Sequence, residues 1–307
     1  YAKNVPARVY SHPNCRVTTI YDMMYNQWVE QQRGDKRHGS CGLGINATVD
    51  RHELVPLYLH TKNVDHTLDA VRWYYANLTN GKLEVPPEFI VAWKDEFNHA
   101  RLSISDMVDI RSFDHIVFEG AQGLMLDEFN GVFPYVTRSR TGTTNLYENP
   151  VFSDIINKCD DVEILYVTRA YATRHGRGPF WDNPDAVHKY FTVADKTNIP
   201  NPWQETLRLA PLNLDELSKF ISQDYTNHKN KLNVATYTLA VTCVDQLTGT
   251  HVPLYDNTIS DKYSVVDYGE FLYRLKHFTA VDVMFDRLLI ARGHCRFEVE
   301  TLEREVA

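Results

Sequence analysis

The sequence lacks both a long apolar run and an excess of basic residues. No stretch approaches the about 20 apolar residues that a membrane-spanning helix needs, so we expect no membrane partner. The 32 Lys and Arg residues are outnumbered by 40 Asp and Glu residues, which gives a formal net charge of −8. A broad nucleic-acid surface normally needs a basic excess. The composition therefore argues against nucleic acid as a partner, but it allows a local cluster of arginines around a single nucleotide.

The sequence is also poor in metal-binding and redox motifs. Its 5 cysteines are dispersed and have no C-x-x-C spacing, which favours reduced thiols in a cytoplasmic protein. His60, His66 and His99 are isolated from one another, and no H-E-x-x-H pattern is present. We therefore expect no zinc site and assign no metal ligand in this chain.

What remains is the composition of an ordinary globular protein. The chain has 307 residues, 43% of them hydrophobic, and its length allows one large domain or two smaller ones. Helical spacing of apolar residues predicts helices over 17–33, 65–78, 86–97 and 215–227. Apolar β-branched runs predict buried strands over 116–118, 162–168, 235–244 and 288–291. The expected fold is α/β, a mainly parallel central sheet flanked by helices, with ligands at the carboxyl ends of the strands.

A glycine-rich loop follows the first predicted strand. It begins with Glu119-Gly120-Ala121-Gln122-Gly123, where the glycines let the backbone approach a ligand closely. It continues through Pro134-Tyr135-Val136-Thr137 to Arg138-Ser139-Arg140-Thr141-Gly142. Hydroxyl donors together with fixed positive charge suit a phosphate group. The loop therefore predicts a phosphate-binding site.

The order of residues in this loop resembles the signature loop of the adenylosuccinate synthetase family. That family is a P-loop-related group of homodimeric ligases that join L-aspartate to C6 of a purine 5′-monophosphate, using GTP and Mg²⁺ through a 6-phosphoryl intermediate. The resemblance implies that Gln122 contacts the reacting position of the purine. It implies that Thr137 binds the 5′-phosphate, with Arg138 beside it. It also implies a single domain of this family over residues 1–307.

Further matches to the family follow its chain order. Residues 38–46 match a phosphate-binding turn, in which Ser40 and Cys41 stand at threonine positions. Residues 170–180 match a segment that packs beside the nucleotide, which implies that His175 and Gly176 line the base or ribose. Asp245 matches an aspartate that pairs with guanine, and Gly293 matches a glycine of the same triphosphate pocket. Arg51 is a loose substitute for an arginine that reaches the neighbouring subunit, although a surface ion pair is the alternative interpretation.

The largest departure concerns the amino-acid substrate. The family binds aspartate with a loop of four arginines, and none of them is present in the matching segment, residues 195–204. The residues left to hold an amino acid are Lys196, Thr197, Asn198 and Arg208. Either aspartate is held differently, or another amino acid is used. This loss, and the sequence after Thr137, resemble viral relatives that aminate dGMP and that could use ATP in place of GTP.

The family's N-terminal triphosphate loop, its catalytic base and its Mg²⁺ ligands have no counterpart in these residues. We therefore expect an N-terminal segment in the gene that carries them. Two alternatives remain open. The chain could be a catalytically inactive paralogue that binds a purine nucleotide as a sensor or partner subunit, or an unrelated α/β protein with chance matches. Because the thiols and the family both favour the cytoplasm, we expect the protein there, or in the host cytoplasm if it is viral.

Overall fold

The computed structural model describes residues 8–106, 109–193, 195, 198–255, 262–280, 283–293 and 298–303. Contacts between Cα atoms divide the chain into two compact units, Tyr1–Glu119 and Gly120–Ala307. Each unit is described separately below. The predicted single family domain stays a prediction.

The first unit is mainly helical. Its helices and strands, in chain order, are β1 Tyr10–Ser11, α1 Ile20–Arg33, α2 Ile45–His52, α3 Val64–Leu78, α4 Pro87–Ser103 and β2 Ser105–Asp106. Strands β1 and β2 pair in parallel. The start of α1 is fixed by a capping box, in which the Thr19 hydroxyl accepts from the Asp22 amide and the Asp22 carboxylate accepts from the Thr19 amide. Pro87 in the first turn of α4 needs no hydrogen-bond partner for its nitrogen.

Apolar side chains on three helices form the core of this unit. Tyr21, Ala47 and Leu68 pack together with Val71 and Tyr75. The helices predicted over 17–33, 65–78 and 86–97 are confirmed, with ends shifted by a few residues. Trp73 of α3 is 72% exposed. At 3.6 residues per turn, Trp73 lies well off the stripe that Leu68, Val71 and Tyr75 share.

The strand predicted over 116–118 is wrong. These residues have no regular secondary structure, and Val117 is 90% exposed. A β-strand requires a neighbouring strand to satisfy its backbone N–H and C=O groups. In the part of the chain that the structure describes, no strand pairs with this run.

The second unit is mixed α/β. Its helices are α5 Thr144–Glu148, α6 Pro150–Ile156, α7 Pro184–Tyr190, α8 Leu214–His228 and α9 Tyr268–Lys276. Its strands are β3 Glu163–Arg169, β4 Tyr171–Arg174, β5 Arg208–Asn213, β6 Thr236–Thr242, β7 His251–Tyr255, β8 Tyr263–Asp267, β9 Thr279–Ala280, β10 Val283–Met284, β11 Arg287–Ala291 and β12 Val299–Glu303. The α/β fold class with a parallel sheet is therefore confirmed.

Two four-stranded sheets form the body of the second unit, where the sequence predicted one. The first has the order β12-β11-β6-β3, with β3, β6 and β11 parallel and β12 antiparallel at the edge. The second has the order β4-β5-β7-β8 and is largely antiparallel. The core includes Tyr166 of β3, Val241 of β6 and Ile290 of β11.

The predicted strands over 162–168, 235–244 and 288–291 and the predicted helix over 215–227 are confirmed. Strand β3 is buried on one face only, because Leu165 and Val167 on its other face are exposed. The cap of α8 is the Asn213 side chain, which accepts from the Glu216 amide.

Candidate functional site

The glycine-rich loop of the second unit folds back on itself as two adjacent stretches. The Thr137 amide donates to the Leu126 carbonyl over 2.8 Å, and the Glu128 amide donates to the Ser139 carbonyl over 3.1 Å. A Cβ at Gly120 would lie 3.2 Å from the Thr141 carbonyl oxygen, so the start of the loop also touches its end. The stretch that carries Gln122 and the stretch that carries Thr137 therefore form one local structure.

The buried Asp127 side chain stabilises the turn of this loop by accepting hydrogen bonds from its backbone. Its carboxylate is buried and accepts from the amides of Phe129, Asn130 and Thr141 at 3.0, 3.1 and 2.8 Å. Three backbone donors satisfy this carboxylate well, and the nearest guanidinium nitrogen, that of Arg140, lies 3.9 Å from Asp127 Oδ1. The bonds fix the backbone on both sides of residues 137–140.

Asp224 of α8 holds the end of the same loop. Its Oδ1 accepts from the amide and the hydroxyl of Thr143 at 2.8 and 3.0 Å, and its Oδ2 accepts from the Tyr166 hydroxyl at 2.8 Å. Burial, followed by the Asp224 charge, raises the pKa of Tyr166. A Cβ at Gly142 would lie 2.1 Å from Asp224 Oδ1, so only glycine allows this approach. Asp224 could not be predicted as part of this loop from the sequence, because it lies 81 residues from Thr143.

His228 extends this network towards the sheet. Its Nδ1 lies 2.8 Å from the Asp224 carbonyl oxygen, and its Nε2 lies 3.0 Å from the Tyr237 hydroxyl. The contacts fit a neutral imidazole that donates from Nδ1 and accepts at Nε2. Burial lowers the pKa of His228 and raises the pKa of Tyr237 to about 12, so both groups stay neutral near pH 7.

Three predicted site residues lie on this loop. Gln122 is exposed, and its φ of 71° places it in the left-handed region, which residues other than glycine rarely occupy. Such backbone outliers concentrate at binding and catalytic sites. Thr137 is partly buried, with its amide bonded to Leu126. The Arg138 guanidinium forms an ion pair with Glu128 at 2.6 Å.

The structure joins this loop to the segment that contains His175 and Gly176. The buried guanidinium of Arg174 donates to the Tyr135 carbonyl over 2.9 Å and to the Arg177 carbonyl over 3.1 Å. Burial, together with Arg208, lowers the pKa of Arg174. Both ring nitrogens of His175 are buried and make no hydrogen bond with any residue that the structure describes. Unpaired buried nitrogens are costly, so they indicate a place for a polar ligand or water.

Arg208 lies on the other side of this segment. Its guanidinium donates to the Asp182 carboxylate and to the carbonyls of Gly176 and Gly178, at 3.2 and 2.9 Å. The cavity beside it has a volume of about 280 Å³ and is lined by Gly176, Arg177, Gly178, Gln204, Glu205, Thr206 and Arg208. The Asn198 backbone amide donates to the Asp195 carboxylate over 3.0 Å. Lys196 and Thr197 lie outside the described residues.

Asp245 and Gly293 follow neighbouring parallel strands. Asp245 is exposed in the turn after β6, and Gly293 lies in the turn after β11, which pairs with β6. The Tyr171 hydroxyl at the start of β4 donates to Gln246 over 2.7 Å, which ties the Asp245 turn to the strand that leads to His175. These residues therefore occupy the carboxyl edge of the sheet, where ligands bind in α/β folds.

The residues predicted in the first unit form a separate turn. The Ser40 hydroxyl donates to Asn26 Oδ1 over 3.2 Å, and Cys41 is partly buried beside it. A Cβ at Gly44 would lie 2.6 Å from the backbone of Asp22, so the turn packs directly on α1. In this turn Ser40 already has a protein partner, which the sequence could not show.

Arg51 forms a buried ion pair with Asp22, rather than the surface ion pair or the inter-subunit contact considered for it. It is fully buried, and donates to both carboxylate oxygens of Asp22 at 3.1 and 2.8 Å and to the carbonyls of Val55 and Val17 at 2.7 and 2.8 Å. The ion-pair prediction was right, but the surface location was wrong. An arginine with these internal bonds cannot reach a neighbouring subunit.

The described residues contain neither a membrane-spanning helix nor a cluster of metal-binding side chains. No helix in the described ranges is long and apolar enough to cross a membrane. Within the same ranges, no group of three or more His, Cys, Asp and Glu side chains is arranged to hold a metal ion.

Comparison with known proteins gives consistent matches. The family model described as adenylosuccinate synthetase matches residues 2–193. Adenylosuccinate synthetases of Crocosphaera subtropica, Ectopseudomonas mendocina and Chromohalobacter salexigens are 29%, 30% and 31% identical over 193, 194 and 199 residues. These matches cover 56%, 58% and 58% of this chain but only 40%, 44% and 44% of the relatives. The chain thus spans less than half the length of the curated relatives that it matches.

A solved structure supports the fold. It is described as a fully ligated adenylosuccinate synthetase from Plasmodium falciparum, and it superposes with a TM-score of 0.56 at 20% sequence identity. The superposition covers 83% of this chain and 61% of that one. At this identity, the likeness bears on the fold alone.

Proposed function

Because this chain belongs to the adenylosuccinate synthetase family, we propose that it acts in a ligase that joins L-aspartate to C6 of a purine 5′-monophosphate. The reaction proceeds in two steps. The purine 6-oxygen first takes the terminal phosphoryl group of a nucleoside triphosphate as N1 of the purine loses its proton, and the diphosphate is released. The amino nitrogen of aspartate then attacks C6, and inorganic phosphate leaves with the 6-oxygen as the nitrogen loses a proton. The purine is IMP or dGMP, and the triphosphate is GTP or ATP.

The observation that carries this proposal is the folded loop over residues 120–143. Its two stretches are bonded to one another, and its ends are held by the buried carboxylates of Asp127 and Asp224. Such a loop presents Gln122 and Thr137 on a fixed backbone before any ligand arrives, which lowers the entropic cost of binding. We assign Gln122 to the reacting edge of the purine and the Thr137 hydroxyl to the 5′-phosphate.

The nucleotide lining and the triphosphate site belong to the same proposal. The unpaired ring nitrogens of His175 support a position beside the ribose or base, next to the buried Gly176. Ser40 and Cys41 of the first unit are assigned to the monophosphate, as the family turn implies. The exposed carboxylate of Asp245 can accept from the N1 and N2 hydrogens of guanine, which favours GTP, and Gly293 follows the adjacent strand.

The amino-acid site requires a rearrangement around Arg208. Its guanidinium is bonded to Asp182, so an incoming substrate carboxylate would replace Asp182 as its partner. A planar guanidinium binds either carboxylate in the same bidentate way. Asn198, with Lys196 and Thr197 outside the described residues, completes the assigned amino-acid site.

The remaining assignments follow from the family. We propose one adenylosuccinate synthetase-like domain, a homodimer, a cytoplasmic location and a requirement for Mg²⁺. The competing hypothesis is a catalytically inactive paralogue that binds a purine nucleotide as a sensor or partner subunit.

The direct test is titration of the full-length protein with IMP and with dGMP, each with excess GTP or ATP, followed by phosphate release after addition of aspartate and Mg²⁺. We expect micromolar-range binding of one monophosphate and turnover with it. Tighter binding of dGMP indicates the viral branch, and tighter binding of IMP indicates ordinary adenylosuccinate synthesis. Binding without turnover supports the inactive paralogue, whereas binding of neither nucleotide overturns the proposal.

A matched pair of glutamine variants separates chemistry from folding. Gln122→Ala should abolish turnover while leaving the melting temperature nearly unchanged, because the side chain is exposed. Gln32→Ala, at an exposed position of α1, is the control and should retain full turnover. Normal turnover by Gln122→Ala would contradict its assignment to the purine.

A further inference from the structure

Two arginines, two residues apart on the glycine-rich loop, have different partners. The Arg138 guanidinium is paired with Glu128 at 2.6 Å. The nearest carboxylate oxygens to the Arg140 guanidinium are Asp127 Oδ1 at 3.9 Å and Glu148 Oε1 at 3.8 Å. Both distances exceed that of a hydrogen bond. No hydrogen bond joins the Arg140 guanidinium to any residue that the structure describes.

The Arg140 side chain is nevertheless held in place. Its guanidinium carbon lies 3.7 Å from the centre of the Phe129 ring, and the side chain is 24% exposed. Stacking on an aromatic ring orients the guanidinium plane while leaving its N–H groups available at the edge. The side chain is therefore positioned but keeps its donors for another acceptor.

The backbone around Arg140 is fixed as well. Its carbonyl accepts from Asn145 Nδ2 over 3.1 Å, and the next amide, that of Thr141, donates to Asp127 over 2.8 Å. Thr141 is only 9% exposed, and its buried hydroxyl oxygen has no hydrogen-bond partner among the described residues. A buried hydroxyl without a partner is unfavourable unless something else supplies one.

We propose that Arg140, assisted by the Thr141 hydroxyl, binds the phosphate monoester of the nucleotide, while Arg138 maintains the loop through Glu128. This inference rests on the proposed function for the identity of the nucleotide. A phosphate group offers acceptor oxygens that match the guanidinium fork. Arg140 is thus added to Thr137 as a phosphate-binding residue, and Arg138 becomes a positioning residue.

The two nearby carboxylates oppose an anion at this place but do not prevent it. Asp127 already accepts from three backbone amides, so much of its charge is balanced within the loop. Glu148 is 54% exposed and can move into solvent when a phosphate approaches. A bound phosphate would then replace Glu148 as the anion beside Arg140.

The test compares Arg140→Gln with Arg138→Gln in the full-length protein. For each variant, calorimetry measures the affinity for IMP and inosine, for dGMP and deoxyguanosine, and for inorganic phosphate alone. The ratio of monophosphate to nucleoside affinity isolates the phosphate contribution. Arg140→Gln should lower this ratio by about 10- to 100-fold, the range expected for a charge-assisted hydrogen bond. Arg138→Gln should lower it by less than about threefold, because a surface ion pair contributes little.

Three further measurements distinguish phosphate binding by Arg140 from a purely structural role. Arg140→Lys should restore only part of the ratio, since it returns the charge without the fork. Nucleoside affinity should be the same in wild type and Arg140→Gln. If Arg140→Gln changes the melting temperature but leaves the ratio as in wild type, Arg140 only holds the loop and the inference is wrong.

The same measurements distinguish this inference from the proposed function. If wild type binds inorganic phosphate through Arg140 but binds no purine nucleotide, the proposed function fails and the phosphate site stands. If wild type binds a purine monophosphate and the ratio depends on Arg138, the function stands and the inference fails. A wild-type protein that binds neither phosphate nor nucleotide overturns both.

Discussion

In the first unit, the buried carboxylate of Asp22 is neutralised by the fully buried Arg51, whereas in the second unit the buried carboxylates of Asp127 and Asp224 accept hydrogen bonds from neutral donors. The nearest guanidinium nitrogen to Asp127 is 3.9 Å away, and the His228 ring beside Asp224 is neutral. Both arrangements bury a carboxylate next to a closely packed glycine, Gly44 beside Asp22 and Gly142 beside Asp224. Their difference lies in what happens to the arginine.

This difference indicates how each turn can be used. In the first unit, Arg51 is occupied by internal contacts, because its guanidinium donates to Asp22 and to the carbonyls of Val55 and Val17. In the second unit, backbone amides and hydroxyl groups, rather than a cation, donate to the buried carboxylates of Asp127 and Asp224. The arginines of the loop therefore remain near the surface. Arg138 is paired with Glu128, but the Arg140 guanidinium makes no hydrogen bond with the described residues and is available to a ligand. We regard this as the main structural reason to place the phosphate in the second unit.

The largest effect should come from breaking the ion pair of the first unit. Arg51→Ala leaves the Asp22 carboxylate buried without a cation, which should cost about 3–5 kcal/mol in the free energy of unfolding. Urea denaturation followed by circular dichroism measures it. Arg72→Ala removes a solvent-exposed pair with Asp69 and should cost less than about 1 kcal/mol. Equal effects of the two variants would show that the buried pair is not the main support of this unit.

The second prediction tests the close approach in the second unit. Gly142→Ala places a methyl group 2.1 Å from Asp224 Oδ1, and this overlap should cost about 1–3 kcal/mol of stability. The control is Gly249→Ala, because a Cβ there meets nothing within 4 Å. Thermal unfolding of both variants measures the difference. A Gly142→Ala protein as stable as wild type would mean that Asp224 does not hold the loop as described.

The third prediction concerns pH and has a smaller effect. Burial lowers the pKa of His228, whereas an unfolded imidazole has a pKa of about 6.5. The unfolded state therefore binds more protons as the pH falls below about 6.5, and the unfolding free energy falls with it. His228→Asn should remove up to about 1.4 kcal/mol per pH unit from this slope between pH 6.5 and 5.

Urea denaturation at a series of pH values measures that slope. His188→Asn, at an exposed position of α7, serves as the matched control. If His228→Asn leaves the wild-type slope unchanged, the neutral-donor network around Asp224 is not the source of the acid sensitivity. The comparison between the two units would then lose one of its supports.

The sequence predicted features that are encoded locally. Helix α4 begins at a proline, and strands β3, β6 and β11 are β-branched runs whose character does not depend on distant residues. The run over 116–118 has the same local character, but it found no neighbouring strand among the described residues. A strand pattern alone cannot say whether a partner is present.

Of the candidate site, the sequence predicted only the residues that belong to a continuous loop motif. Gln122 and Thr137 were found from the loop, and the structure places their stretches side by side. The clamp at Asp224 and the burial of Arg51 depend on contacts between residues 81 and 29 positions apart. A lone aspartate on α8 and a lone arginine on α2 resemble surface charges in the sequence. Only the folded structure shows that each of them has a buried partner.

The most direct test of the central claim compares two threonine variants. It measures how much the 5′-phosphate contributes to the nucleotide affinity of each. Calorimetry compares Thr137→Val with Thr226→Val, an exposed threonine of α8, for a purine monophosphate and its nucleoside. Loss of the hydroxyl donor at Thr137 should weaken monophosphate binding by about 1–3 kcal/mol and leave nucleoside binding unchanged. Thr226→Val should bind both as wild type does. Equal monophosphate affinity in Thr137→Val and wild type would contradict the placement of the phosphate on this loop.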